Sequence, residues 1–187
     1  MFLIVNCAEP GVREFARPLS EILDKGGFSS FIAAYRDCSV LNLSSYEGIV
    51  LSGSPRGDDI AEHHQPYFSW LLDYENPVLG ICAGHHIAGC LYGASLLRGE
   101  EAELGATEIV LLEEDPLFQG FGRKLIVHQM HNDSISLPPE FMHLARSETC
   151  MNQAMRHKKK PLYSVQFHPE FCNPEILLNF ARMCRER

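Results

Sequence analysis

The chain has 187 residues, of which 45% are hydrophobic and 21% are charged. This composition is ordinary for a globular protein and excludes the disordered and fibrous classes. The formal net charge of −8 creates a field that repels nucleic acids and anionic membrane surfaces, so we expect small molecules or proteins as partners. The length fits one domain over residues 1–187.

The seven cysteines are an odd number, and none of them forms a C-x-x-C pair. Neither a disulfide framework nor a zinc site is therefore predicted, and a reducing compartment fits best. Residues 1–10 lack the basic start and the long apolar run of a secretion signal, and no stretch is apolar enough to span a membrane. We expect a cytoplasmic protein.

Short apolar runs alternate with helical patterns through the first half of the chain. The runs at 2–5, 31–34, 48–51 and 78–81 predict buried strands, and the segments 12–23, 66–74 and 85–91 predict helices. Pro18 predicts a break or a late start in the first of these helices. Alternation of this kind is typical of βα units built around a parallel sheet.

The second half is more irregular. It predicts strands at 108–112, 124–128, 142–145 and 162–167 and a last helix at 174–184. The fold class is therefore α/β, a doubly wound sandwich with a mostly parallel central sheet. Sheets of this type carry their sites at the carboxyl ends of the strands, and Gly53, Cys82 and His168 each follow or end a predicted strand.

The strongest motif is the G-x-C-x-G sequence formed by Gly80, Cys82 and Gly84 between a strand and a helix. It is a nucleophile elbow with sulfur in place of oxygen. The glycines are needed because a sharp strand-to-helix turn leaves no room for a Cβ, and the start of a helix favours a thiolate. The alternative is a buried structural cysteine, but the flanking glycines favour a nucleophile.

A base and its orienting carboxylate are predicted at His168 and Glu170, which Pro169 keeps out of a helical conformation. Without the elbow, an exposed His and Glu at a strand end would be an equally good interpretation. Backbone N–H groups of Gly53 and Ala83 are candidates for an oxyanion hole, although the Gly53 segment also reads as a plain turn.

Together these residues resemble the class I (triad) glutamine amidotransferases, especially the stand-alone glutaminase subunits of archaeal-type GMP synthetases. The resemblance covers nearly the whole chain. It rests on residues 46–55, 77–85, 115–118, 131 with 133, 154–157 and 166–170. It implies a flavodoxin-like fold, attack of Cys82 on the amide of glutamine, and transfer of ammonia to an ATP-pyrophosphatase synthetase subunit.

The chain departs from this family at the substrate pocket. His86 stands four residues after the nucleophile, where the family has Gln, while His131 and Asp133 retain the family's His and Asp. The resemblance implies that these three residues contact the substrate. Since the Gln is missing and no synthetase domain follows, a self-sufficient γ-glutamyl hydrolase or peptidase with the same triad is the alternative function.

Neither a metal nor a cofactor is expected. The histidine pairs lack H-E-x-x-H or comparable ligand spacing, and His63 and His64 are predicted to be solvated. The basic run at 157–160 reads as a solvated loop. No G-x-G-x-x-G or Walker sequence is present, so nucleotide chemistry would belong to a partner.

Overall fold

The computed structural model describes residues 1–56 and 60–186. Its strands are β1 (Phe2–Asn6), β2 (Ser30–Ala34), β3 (Ile49–Leu51), β4 (Val78–Ile81), β5 (Leu96–Leu97), β6 (Glu103–Leu111), β7 (Lys124–His131), β8 (Ser134–Ile135), β9 (Phe141–Arg146), β10 (Ala154–His157) and β11 (Leu162–Val165). Its helices are α1 (Ala16–Lys25), α2 (Ile60–His64), α3 (Ala83–Leu91), α4 (Pro169–Cys172) and α5 (Pro174–Arg185).

A nine-stranded sheet forms the centre of the molecule, in the order β2-β1-β3-β4-β11-β10-β9-β6-β7. The five strands from β2 to β11 run parallel to one another. Their order is that of flavodoxin-like sheets, in which ligands bind beyond the carboxyl ends of the strands. The strands β10, β9, β6 and β7 extend the sheet in antiparallel fashion, and β5 and β8 form a separate two-stranded antiparallel sheet.

Helices cover both faces of the inner parallel strands, which explains why those strands are continuously apolar in sequence. The prediction that the strand at 31–34 is buried is wrong, because β2 lies at the edge of the sheet and leaves Phe31 47% exposed. In β1, Phe2 and Ile4 pack into the same core cluster as α1 and α5. Leu3 and Val5 point the other way, into the cluster that contains residues of α2 and α3. The result is the predicted three-layer sandwich, so the fold class is confirmed.

The prediction of one helix at 66–74 is wrong. It forms two short 3-10 turns, Gln65–Tyr67 and Ser69–Leu72, that meet at Phe68. Pro66 has no N–H to continue the α-helical hydrogen bonds of α2. The turns bury Phe68 and Leu71 in the same core cluster as Leu3 and Val5 of β1.

Strand β10 was not predicted. It pairs with β9 and β11, and its four residues include a charged Arg156. A strand this short carries little local signal, because its stability comes from pairing with segments distant in sequence. Within residues 1–56 and 60–186, no helix combines the length and apolar character needed to cross a bilayer.

Candidate active site

Cys82 lies at a strained turn between β4 and α3. Its φ of 49° and ψ of −99° are unfavourable for a residue with a Cβ, and it is the one non-glycine residue with positive φ in the described part of the chain. Such strain costs about 1–3 kcal/mol and persists where the surroundings impose it. The Cys82 N–H is held by the Val165 carbonyl of β11 at 2.9 Å.

The two glycines of the motif are required by close backbone contacts. A Cβ on Gly80 would lie 2.5 Å from the carbonyl oxygen of Gly84, and a Cβ on Gly84 would lie 2.7 Å from the carbonyl oxygen of Leu51. The sharp turn therefore brings β4, the start of α3 and the end of β3 into direct contact. This is the backbone geometry that the G-x-C-x-G sequence predicted.

Replacement of Gly80 by alanine is expected to destabilise the protein by about 1–3 kcal/mol, because the new methyl group meets backbone atoms that cannot rotate away. Urea unfolding measures the effect. Gly122→Ala is the matched control, since a Cβ there would meet only one atom, at 3.9 Å. Equal stability of the two variants would contradict the packing argument.

His168 and Glu170 form a buried pair beside Cys82. The Nδ1–H of His168 donates to Oε1 of Glu170 at 2.8 Å, and the two side chains are 1% and 0% exposed. His168 has an extended backbone, and its N–H donates to the His128 carbonyl. The expectation that Pro169 keeps both residues out of a helix is wrong for Glu170, because Pro169 begins α4 and Glu170 lies in its first turn, where proline is well tolerated. Because Nδ1 faces the carboxylate, Nε2 is the nitrogen left for the Cys82 thiol.

The protonation of His168 follows from its two neighbours. Burial lowers the pKa of its imidazole, but the charge of Cys82 and the hydrogen bond and charge of Glu170 outweigh burial and raise the pKa to about 10. Negative charge on the sulfur and positive charge on the ring therefore stabilise each other. A thiolate paired with an imidazolium is an activated nucleophile.

Three residues fix the plane of the His168 ring. Phe15 lies 5.1 Å from it and Phe171 lies 5.4 Å from it, centroid to centroid. A Cβ on Gly53 would lie 2.8 Å from Cε1 of His168. Gly53 thus makes room for the imidazole. The two phenylalanines were missed in the sequence, where nothing distinguishes them from other apolar residues.

The expected oxyanion donors are the backbone N–H groups of Gly53 and Ala83. Within the described ranges, the amides of Gly53 and Ala83 donate to no backbone carbonyl outside regular secondary structure. Ala83 is the first residue of α3, so its N–H also has no acceptor within the helix.

A cavity of about 460 Å³ opens at Cys82, large enough for an amino acid. The expected substrate-contacting residues His86, His131 and Asp133 all line it together with Ala83. The side-chain oxygen Oδ1 of Asp133 accepts the Gly99 N–H at 3.0 Å, which fixes its carboxylate.

His86 is buried and binds another side chain of the site. Its Nε2 lies 2.7 Å from Oε1 of Gln166, and Nε2 of Gln166 lies 3.9 Å from Sγ of Cys82. Burial lowers the pKa of His86 to about 4 despite the hydrogen bond to Gln166. The imidazole is therefore neutral at pH 7 and donates its Nε2–H to Gln166.

One wall of the cavity is formed by a buried polar network around Glu103. His131, Ser147 and Gln153 each hydrogen-bond its carboxylate. Burial alone would raise the pKa of Glu103, but the hydrogen bonds from these residues and the charge of His131 lower it overall. Sequence reasoning singled out only His131 from this group. Glu103, His131 and Cys150 also have ligand atoms close enough to hold a metal ion.

Two further expectations concern residues outside this site. The prediction that His64 is solvated is wrong. The side chain is buried, with its Nε2 2.9 Å from the Cys7 carbonyl oxygen, and burial lowers the pKa of the imidazole to about 4. In the basic run, Lys158 binds the Pro139 carbonyl and Lys160 pairs with Glu75. Lys158 to Lys160 agree with the interpretation of the run as a loop, whereas that interpretation is wrong for His157, because it ends β10 and is buried.

A strained cysteine beside a buried His–Glu pair, at the carboxyl edge of a flavodoxin-like sheet, defines a cysteine-dependent hydrolase of the triad type. The family model for class-I glutamine amidotransferases matches residues 20–177. The chain belongs to this family. Its enzymes hydrolyse glutamine with a cysteine nucleophile.

Curated relatives are similar over most of the chain, and they are named as one subunit of a glutamine-hydrolyzing GMP synthase. The relative from Pyrococcus abyssi is 43% identical over 144 residues, covering 74% of this chain and 76% of that protein. The protein of the same name from Pyrococcus furiosus is 40% identical over 151 residues, covering 75% of this chain and 77% of that protein.

Solved structures share the fold. A GMP synthase subunit from Thermoplasma acidophilum superposes with a TM-score of 0.88 at 28% identity, covering 99% of this chain and 94% of that one. A glutamine amidotransferase from Thermotoga maritima gives a TM-score of 0.74 at 21% identity, covering 100% and 83% of the two chains. The latter likeness concerns the fold alone.

Proposed function

We propose that this protein hydrolyses the side-chain amide of glutamine to glutamate and ammonia, and that the ammonia passes to a synthetase subunit that makes GMP. The observation that carries the proposal is the position of His168 between the Glu170 carboxylate and the Cys82 thiol. Family membership and the names of the curated relatives support glutamine as the substrate.

The first half of the reaction is acylation. The Cys82 sulfur attacks the amide carbon, and the carbonyl oxygen takes the negative charge and accepts the N–H groups of Gly53 and Ala83. The tetrahedral intermediate collapses by breaking the C–N bond. His168 donates its Nε2 proton to the departing nitrogen, so ammonia leaves and a γ-glutamyl thioester remains on Cys82.

The second half is hydrolysis of the thioester. The neutral His168 takes a proton from water, the resulting hydroxide adds to the thioester carbon, and the C–S bond breaks to release glutamate and the Cys82 thiolate. Throughout, Glu170 holds the Nδ1–H of the ring and stabilises the imidazolium. His86, His131 and Asp133, which line the cavity, are proposed to bind the amino-acid part of the substrate.

The partner is proposed from the relatives' names. Each of them is named as one subunit of a GMP synthase, which implies at least one other. The absence of a Walker sequence agrees with activation of the acceptor by a partner. The acidic net charge of −8 makes nucleic acids unfavourable as partners.

The test measures glutamate and ammonia released from glutamine, with and without an archaeal-type ATP-pyrophosphatase subunit. We expect both products in equal amounts and a higher rate with the partner. Turnover of γ-glutamyl peptides with none of free glutamine would overturn the proposal in favour of a γ-glutamyl hydrolase. The curated relatives favour the glutamine enzyme.

His86→Ala is expected to raise the KM for glutamine about tenfold, because it leaves the buried Oε1 of Gln166 without a donor. His86→Gln supplies an amide donor at the same position and should keep KM within about threefold of the wild type. Steady-state glutaminase kinetics distinguish the two. Equal KM values for both variants would rule out this role of His86.

A further inference from the structure

A second cluster of chemically reactive side chains lies beside the substrate cavity. The cluster consists of three buried residues: Glu103 from β6, His131 from the end of β7 and Cys150 from the loop between β9 and β10. One ligand atom of each residue lies within 4.8 Å of the other two. The mechanism of amide hydrolysis assigns no task to the Cys150 thiol.

The orientation of His131 is fixed by its two ring nitrogens. Nδ1 lies 3.0 Å from the carbonyl oxygen of Asp133, which can only accept, so Nδ1 carries a hydrogen. Nε2 is therefore the nitrogen that faces Oε2 of Glu103, 3.2 Å away, and the one that a metal ion can take. A ring that donates its other N–H to a backbone carbonyl is the usual arrangement of a metal-binding histidine.

The carboxylate of Glu103 is supported in the same way. Nε2 of Gln153 donates to Oε2, and the Ser147 hydroxyl donates to Oε1 at 2.6 Å. Gln153 is in turn held by Nε2 of Gln129 at 2.7 Å. Ligand residues fixed by an outer layer of hydrogen bonds of this kind lose little freedom when an ion binds.

We propose that Glu103, His131 and Cys150 form a binding site for a divalent cation of the zinc type, separate from Cys82. One imidazole nitrogen, one carboxylate oxygen and one thiolate sulfur are the donors that zinc prefers. The thiolate and the carboxylate together balance the charge of the ion. On binding, the ion replaces the Cys150 thiol proton and any proton on Nε2 of His131, and both protons go to solvent.

The geometry requires only a small contraction. Bonds of about 2.0–2.3 Å to a tetrahedral ion place ligand atoms roughly 3.3–3.8 Å apart, against the present limit of 4.8 Å. Glu103 and His131 line the substrate cavity, so a fourth coordination position can be reached from it. The three residues lie far apart in sequence, which is why ligand spacing did not reveal the site and no metal was expected.

The test uses Cys82→Ala protein, so that the reactive cysteine cannot take the metal. After treatment with a chelator, the full-length variant is titrated with Co²⁺. We expect one equivalent to bind with a sulfur-to-cobalt charge-transfer band, and Zn²⁺ to displace it. Adding Cys150→Ser should remove the band, and adding Glu103→Gln should weaken binding by at least about tenfold.

Adding Cys90→Ser instead is the matched control and should leave the band unchanged, since Cys90 lies on α3 away from the cluster. Gln153→Ala, outside the set of ligands, should weaken binding roughly 10- to 100-fold while retaining the band. Absence of the band in Cys82→Ala, or its persistence after Cys150→Ser, would overturn the proposal. Neither result depends on glutaminase activity, so the proposed function is tested separately.

Discussion

Cys82→Ala is expected to reduce glutamine hydrolysis by at least about 10⁴-fold, because the variant has no atom that can form the thioester. The fold should be unaffected, since removal of one sulfur relieves rather than adds contacts at a turn with a φ of 49°. Release of ammonia from glutamine measures the activity, and thermal unfolding measures the stability.

The control is Cys184→Ala, which removes a half-buried thiol outside the cavity. It should retain the wild-type rate. Labelling with a glutamine-like alkylating reagent adds an independent readout: mass spectrometry should place the adduct on Cys82 among the seven cysteines. An adduct elsewhere, or normal turnover by Cys82→Ala, would remove Cys82 from the reaction.

Glu170→Gln is expected to lower kcat by about 10²- to 10⁴-fold. The amide oxygen can still accept from Nδ1 of His168, at the position that now lies 2.8 Å away. The negative charge that stabilises the imidazolium form of His168 is lost. Glu175→Gln makes the same change of charge on the surface of α5 and should have no effect.

The pH dependence gives Glu170 a second readout. The pKa of His168 is raised to about 10 with Glu170 present, so the wild-type rate should fall only as the pH approaches that value. Glu170→Gln lowers this pKa and moves the alkaline limb of the pH–rate profile to lower pH. An alkaline limb that stays in place would exclude the carboxylate as the partner of His168.

The raised pKa of His168 also makes the free energy of unfolding depend on pH. Because the folded pKa of His168 lies above its ordinary value of 6.5, the charged ring contributes its full stabilisation below about pH 6.5. That contribution is lost as the pH rises through about 10. Loss of Glu170 should therefore reduce the difference in unfolding free energy between pH 6 and pH 10.

Several strands and the turn at Cys82 could be predicted from the sequence because each depends on a short stretch of neighbouring residues. The apolar runs of β1, β3 and β4 are continuous since both faces of these strands are buried. The glycines at 80 and 84 mark a turn that no other residue type can form. The segment at 66–74 was misread because an apolar pattern broken by Pro66 fits a helix and a pair of 3-10 turns equally well.

The sequence by itself determined the parallel α/β core, the elbow at Cys82 and the pairing of His168 with Glu170, because each depends on residues within a few positions of one another. Only the tertiary structure decided which side chains surround them. Phe15 and Phe171 enclose His168, and His86 reaches Gln166 across 80 residues of chain. Glu103, His131 and Cys150 likewise meet only because antiparallel strands bring distant segments together. Contacts of this kind carry no local periodicity or spacing, so they become visible only once the sheet is assembled.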